Sequence, residues 1–277
     1  MPNSAHLVDA AGTQHVAAGA GARIACLVPS ITELLCDLGL APQMVARTGF
    51  CIHPKALVAA IPKVGGTKDV DLEKLRALRP THVVLNIDEN TKPTAEALAA
   101  FVPHLVVTHP QAPEDNLALY RLLGGLFGRR QQAEALCSEL GAALAEARAA
   151  AHWASVTVLY LIWKDPWMTV SPDTYIARTL ATVGWRVLPQ AAAVRYPEVA
   201  LADAAQAAEL VLLSTEPYMF RQHHLAELGT RLPGKRIALI DGEMTSWYGS
   251  RAIAGLRYLP RLRVQLDAVP PAGRNAL

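Results

Sequence analysis

Short apolar runs alternate with segments of helical spacing along most of this chain, and that alternation constrains its fold more than any other feature. RIACLVPS, from Arg23, reads as a buried strand stopped by Pro29. SITELLCDLGL follows, with Ser30 as a cap, Ile31, Leu34, Leu35 and Leu38 on one helical face, and Gly39 as a stop. MVARTGF, THVVLNI and HLVVTHP read as further strands, with DLEKLRALRP and TAEALAAF as helices. Strands that alternate with helices predict a parallel sheet with right-handed crossovers. Beyond residue 155 the pattern returns in VTVLYLIW, TYIARTLATVG, AELVLLS, HHLAELGTRL and KRIALID.

Between the two halves, from Pro113 to Trp153, the sequence is helical throughout. Some 35 helical residues at 1.5 Å each would reach about 50 Å, enough to connect two domains. The alternative is two helices broken at Gly124-Gly125 or at Gly128. The expected organisation is a mobile N-terminal arm at 1–22, an α/β lobe at 23–112, a connecting helix at 113–154, and a second α/β lobe with a tail at 155–277. The fold class is α/β: two Rossmann-like lobes with parallel sheets joined by a long connecting helix, with a ligand cleft between the lobes. Ligands of open α/β sheets bind beyond the carboxyl ends of the strands.

Composition removes several classes. With 277 residues, 52% hydrophobic and 18% charged, the chain is neither disordered nor a fibrous or disulfide scaffold. Its net charge is +2 and no Lys/Arg run stands out, so no nucleic-acid or membrane-surface partner is expected. Four cysteines without a C-x-x-C pair read as reduced, buried thiols. The opening residues lack the basic start and apolar stretch of a secretory signal, giving a cytoplasmic location as written and a periplasmic one if the native start differs. No apolar run approaches the roughly 18 residues that span a bilayer.

Candidate site residues stand after the expected strands. TGFCIHP places Phe50, Cys51 and His53 on one loop. Imidazole is the commonest transition-metal donor, so His53 is read equally as a metal or ligand contact and as loop packing, and Cys51 more as a buried thiol. Asn86 opens NIDEN, a ligand-side loop or a solvated cap. LYLIWKDPWMTVSPDTYI crowds Trp163, Trp167, Met168 and Tyr175 among prolines and polar residues, a pattern consistent with an exposed aromatic wall. STEPYMF with Tyr218 and DGEMTSWYGSR with Trp247 and Tyr248 each follow a strand in the same way. Rings offer flat, stiff apolar area that suits a large rigid ligand such as a tetrapyrrole or metal chelate. G-x-S-x-G, H-E-x-x-H, the P-loop and a G-x-G-x-x-G in strand-to-helix context are all missing, so no catalytic residue is assigned.

Taken in order, VPSITELLCDLGL, GFCIHP, VGGTKDVDLEKLRALRPTHVV, the long helical stretch, WKDPWMTVSPDTYI and GWRVLP resemble the helical-backbone metal receptor superfamily. These are the class III substrate-binding proteins for cobalamin, haem and iron-siderophores. The likeness runs over about residues 23–265. It implies two α/β lobes, a non-enzymatic role, cleft contacts at His53, Trp167 and Trp247, and docking to an ABC permease through Glu73. At the second docking position the sequence has Ala202, with Asp203 one residue on; Thr67 and Asn86 stand near positions where relatives carry cleft tryptophans. The expected function is a monomeric substrate-binding protein for cobalamin or a related corrinoid or metal chelate, taken up by an ABC-type system, with no catalytic cofactor. The alternative is an intracellular enzyme or metallochaperone of tetrapyrrole or corrinoid metabolism using the same cleft.

Overall fold

The computed structural model describes residues 7–149 and 153–268. They fall into two compact units, each built on a four-stranded parallel sheet. Unit 1 is the chain up to Pro110 with Glu114–Leu140 and Tyr248–Arg251; unit 2 is Gln111–Pro113, Gly141–Trp247 and the chain from Ala252.

Unit 1 runs β1 (Ile24–Cys26), α1 (Pro29–Asp37), β2 (Met44–Arg47), α2 (Lys55–Val58), α3 (Leu72–Ala77), β3 (His82–Asn86), α4 (Lys92–Ala99) and β4 (His104–Thr108). The sheet order is β2-β1-β3-β4, with Ile24 opposite His82 and Val83 opposite Leu105. β1 and β3 are buried at every position, as parallel strands covered on both faces must be. Ala25, Leu27, Val83 and Leu85 pack with Leu75 of α3 and Leu98 of α4. Asp71 and Thr91 cap α3 and α4 by accepting from the N–H groups of Lys74 and Thr94, worth about 1 kcal/mol each. Ser30 does not cap α1. The helix starts a residue earlier, at Pro29, whose fixed φ suits the first helical position.

Residues 7–22, expected as a mobile arm, are instead tied to unit 1. Ala10 N–H donates to the Val107 carbonyl at 2.9 Å, and Val107 N–H donates to Asp9 Oδ2 at 2.9 Å. The buried Asp9 carboxylate also accepts from the N–H groups of Ala11 and Thr13 and meets His15 Nε2 at 3.0 Å. One carboxylate that satisfies its own turn and the edge of β4 anchors a segment with no apolar period. Residues 1–6 of the expected arm lie outside the described residues.

The expected connecting helix over 113–154 is two helices, α5 (Asn116–Leu126) and α6 (Arg130–Ala149). The break falls at Gly128, whose φ of 68° is left-handed. Gly124 makes the turn possible: a Cβ there would stand 2.4 Å from that of Ala133, so only glycine lets the two helices approach so closely. Tyr248–Arg251 completes unit 1. Gly249 N–H donates to Asn116 Oδ1 at 2.6 Å, Tyr120 OH donates to the Gly249 carbonyl at 2.9 Å, and Arg251 forks onto Glu33 at 2.7 Å.

Unit 2 runs β5 (Val156–Leu161), α7 (Tyr175–Ala181), β6 (Trp185–Val187), α8 (Leu201–Gln206), β7 (Leu210–Ser214), α9 (Gln222–Arg231), β8 (Arg236–Ile240), α10 (Gly242–Ser246) and α11 (Arg251–Asp267). The sheet order is β6-β5-β7-β8, the same pattern as in unit 1. Alternation along β5 feeds two cores. Val158 and Tyr160 join Leu180, Trp185, Leu212 and Leu259 on one face; Leu159 and Leu161 join Val211, Leu213 and Leu228 on the other. The Tyr160 hydroxyl is buried but bonded to Ser214 Oγ and Thr245 Oγ1, and burial pushes its pKa up to about 12. Arg263 of α11 lies against the rings of Trp153 and Trp185 and donates to the carbonyls of Val183 and Ala154.

β3 and β4 begin with a stacked pair, His82 and His104, their ring centroids 4.7 Å apart, and Phe127 stands edge-on to His82. Burial first, then the neighbouring His104 and His15, lower the His82 pKa from 6.5 to about 4. Between those values the unfolded chain binds a proton that the folded ring refuses. The stabilising contribution is therefore intact above pH 6.5 and is lost as pH falls towards 4. The urea midpoint is expected to drop across that window, and to drop less for His82→Phe, which keeps a ring in the stack. Identical pH profiles for the two proteins would contradict this assignment.

Candidate functional site

In unit 1 the loop after β2 is built around a buried arginine. Arg47 Nε donates to the Val58 carbonyl at 2.8 Å, and its Nη1 donates to the carbonyls of Thr48 and Cys51 at 3.1 and 3.0 Å. These bonds hold the loop closed from beneath. Cys51 is buried below it, its thiol 3.1 Å from Thr48 Oγ1 and raised in pKa by burial, so it packs rather than faces a ligand. The residues on either side point outward: Phe50 is 63% exposed and Ile52 51%. A Cβ on Gly66 would come within 3.3 Å of Phe50 Cε2, so the ring rests on glycine backbone with its other side open. His53 is half-buried on the same loop.

The loop after β3 is fixed by amides. Asn90 Oδ1 accepts from Asn86 N–H, and Asn90 Nδ2 donates to the carbonyls of Thr67 and Leu27. Asn86 is buried, donates to Thr108 Oγ1 and accepts from Asp88 N–H. It shapes the loop and does not present itself to a ligand, which corrects its expected role. Ile87 beside it is 49% exposed. Tyr248, expected on the second lobe's aromatic wall, belongs to unit 1 and is buried. It donates to Glu89 Oε1, and burial with that neighbouring carboxylate pushes its pKa well up.

In unit 2 the sequence WKDPWM makes a tight hairpin. Ile162 N–H donates to the Met168 carbonyl at 3.0 Å, Met168 N–H donates to the Trp163 carbonyl at 3.2 Å, and Asp165 turns the corner with φ of 59°. The hairpin separates its two tryptophans. Trp163 is 40% exposed, whereas Trp167 is buried and stacks on Phe220 at 6.1 Å with 9° between the planes. Tyr218, after β7, is half-buried, stands edge-on to Trp163 at 5.6 Å and places its hydroxyl 3.3 Å from His224 Nε2. Met219, next along, is 59% exposed.

The exposed wall is therefore smaller than expected. Trp163, Tyr218 and Met219 form it. Trp167, Tyr175 and Trp247 are buried, Trp167 within the core that contains Leu159 and Leu213. Trp247 is further held by its Nε1–H, which donates to Glu216 Oε2 at 2.8 Å. Met168 is half-buried and packs against the core that contains Val158 and Leu180. Ile52 and Ile87, exposed beside these loops, are not singled out by the sequence because single aliphatic side chains carry no motif; their only signal is position after a strand. Among the described residues no group of three His, Cys, Asp or Glu side chains could hold a metal ion, so His53 can offer at most one bond to a metal already held by its own chelate.

A family model described as periplasmic binding protein matches residues 24–199. No curated protein matches the chain. Among solved structures, the periplasmic vitamin B12 binding protein BtuF of Vibrio cholerae is similar with a TM-score of 0.79 at 13% identity, covering 89% of this chain and 98% of that one. The periplasmic haem-binding protein RhuT from Roseiflexus sp. RS-1, in apo form, gives 0.73 at 20% identity, covering 89% and 99%. The periplasmic haem-binding protein HutB of Vibrio cholerae gives 0.72 at 18%, covering 88% and 99%. At these identities the likeness is one of fold.

The Arg47 cradle gives a direct test of how the unit 1 loop is held. Arg47→Met keeps the aliphatic stem but removes three hydrogen bonds, while the Val58 and Thr48 carbonyls keep the N–H groups of Ile61 and Cys51, and it is expected to cost roughly 2 kcal/mol in urea unfolding. A loss under about 0.5 kcal/mol, within the range of an ordinary surface change, would contradict the role given to it.

Proposed function

This chain belongs to the periplasmic binding protein family, and on that premise we propose that it is the substrate-binding component of an ABC-type importer for vitamin B12 or a related metal chelate. The observation that carries the reading is that each unit leaves apolar side chains uncovered on its strand-end loops, Phe50, Ile52 and Ile87 in unit 1 and Trp163, Tyr218 and Met219 in unit 2. Parallel α/β units bury their large apolar side chains, and exposed ones gathered on strand-end loops mark a surface kept for an apolar guest. A flat chelate with an aliphatic periphery matches rings and branched side chains of this kind. The similar fold of proteins whose names record vitamin B12 or haem binding supports the same class.

In this reading Phe50 and Trp163 each offer a ring to a chelate, and His53 meets the metal or a polar group beside it. Buried Trp167 and Trp247 support the loops from below. Contact with a permease is assigned to Glu73, which is 87% exposed in the first turn of α3. The matching turn of α8 has Ala202 and then Asp203. The family's setting is the periplasm, so the mature protein acts outside the cytoplasmic membrane, and the cytoplasmic reading of the opening residues is set aside. Among the described residues no helix is long and apolar enough to cross a membrane.

Titration of the purified protein with cobalamin, haem and iron chelates, followed by visible absorption and tryptophan fluorescence, tests the proposal. One chelate should shift the spectrum and saturate at one site. Phe50→Ala and Trp163→Ala should each weaken it by about tenfold or more, as loss of an aromatic anchor does, and His53→Ala should alter the visible band. No response to any chelate, or unchanged affinity in both ring variants, would refute it.

A further inference from the structure

The loops of unit 2 carry charge as well as rings: Lys164, Arg195 and Arg221 stand among Asp165, Asp173, Glu198, Glu216, Asp241 and Glu243. Arg221, the residue before α9, is exposed, and its Nη2 rests 3.0 Å from Sδ of the exposed Met219. Among the described residues no carboxylate forms an ion pair with it. The neighbouring acids are engaged elsewhere: both oxygens of Glu227 receive Lys164 Nζ, at 2.8 and 2.6 Å, with Arg231 at 3.7 Å, and Glu216 accepts from Trp247. Asp165 lies within the field of Lys164, Asp173 pairs with Arg178, and Asp241 caps α10.

His224, in the first turn of α9, packs beside Tyr218. Burial chiefly, then the nearby His223 and Lys164, lower its pKa below the usual imidazole value, and of the surrounding charges Glu227 opposes them. Its Nδ1 accepts the Arg221 backbone N–H at 2.9 Å, which fixes where Arg221 starts, and the Tyr218 ring stands 5.6 Å away on the path to Trp163. An exposed guanidinium without an acid of its own, beside the exposed Met219 and at the positive end of α9, is a planar fork that suits a carboxylate or phosphate.

We propose that Arg221 is a specificity-determining residue of these loops: it makes a charge-assisted contact with a carboxylate or phosphate at the edge of a chelate whose flat face lies on Trp163. This rests on the chelate-binding reading and narrows it to chelates that carry an exposed anion.

The test uses two matched pairs of probes and the full-length protein. Haem carries carboxylates that its dimethyl ester lacks, and cobalamin carries a phosphodiester that cobinamide lacks. Dissociation constants by tryptophan fluorescence are compared for the wild type, Arg221→Gln and Arg221→Lys. The wild type is expected to favour the anionic member of one pair by about tenfold or more, the size of a charge-assisted bond. Arg221→Gln should bring the two members of that pair within about twofold by weakening the anionic one alone, and Arg221→Lys should fall between, since a point charge replaces a fork. Raised salt should erode the preference in the wild type and leave the glutamine variant unmoved. The pair that responds identifies the anion as carboxylate or phosphate. Equal affinity for both members of both pairs, or equal weakening of both members by Arg221→Gln, overturns the inference while leaving chelate binding intact. Failure of the wild type to bind any of the four probes removes the chelate reading itself, and the inference with it.

Discussion

Parallel strands covered by helices on both faces meet solvent only at their ends, and in each unit all four strands share one direction. That constraint governs the rest. Positions along β1, β3 and β7 are taken up by the core, and β5 serves two cores at once through the alternation of its side chains. Chemistry that touches another molecule has to sit on the loops at the carboxyl ends, where the backbone leaves the sheet and side chains are free to point outward.

What holds those loops is mostly polar and mostly hidden. Arg47 gathers three carbonyls beneath the loop after β2, Asn90 ties the loop after β3 to the carbonyls of Thr67 and Leu27, and a hairpin turned at Asp165 divides two tryptophans between solvent and core. In each case the buried element is the one with the richer motif in the sequence, and the exposed element is its neighbour. A buried polar group with all its partners is rigid, which suits a binding surface that must keep its shape before the ligand arrives.

The alternation of apolar runs with helical segments was enough to place all but one of the strands and to give two parallel sheets, because that period is dictated by burial and needs no distant partner. The missing strand, Trp185–Val187, has an exposed arginine at its centre and so lacks the apolar run that marks the equally short β1. The N-terminal segment was misread for a related reason: its attachment comes from one carboxylate, Asp9, collecting donors from its own turn and from β4, a fact of tertiary contact that composition does not record. The break between α5 and α6 depended on how close Gly124 comes to Ala133, which two glycines in a helical stretch could signal but not decide. Among the candidate site residues, position after a strand was legible, and Phe50, Trp163 and Tyr218 stand on such loops with their side chains at least partly exposed. Side-chain direction was not. Cys51, Trp167, Trp247 and Tyr248 lie next to the right loops and point into the protein, since one residue of offset in a tight turn reverses the face.

Hydrogen–deuterium exchange with and without a bound chelate addresses the central claim most directly, because it reads the strand-end loops of each unit separately and needs no mutation. Protection on ligand addition is expected in the segments 48–53, 86–91, 162–168 and 215–222, with the strands unchanged. Protection confined to other surfaces, or its absence from these segments under saturating chelate, would contradict the claim that these loops receive the ligand.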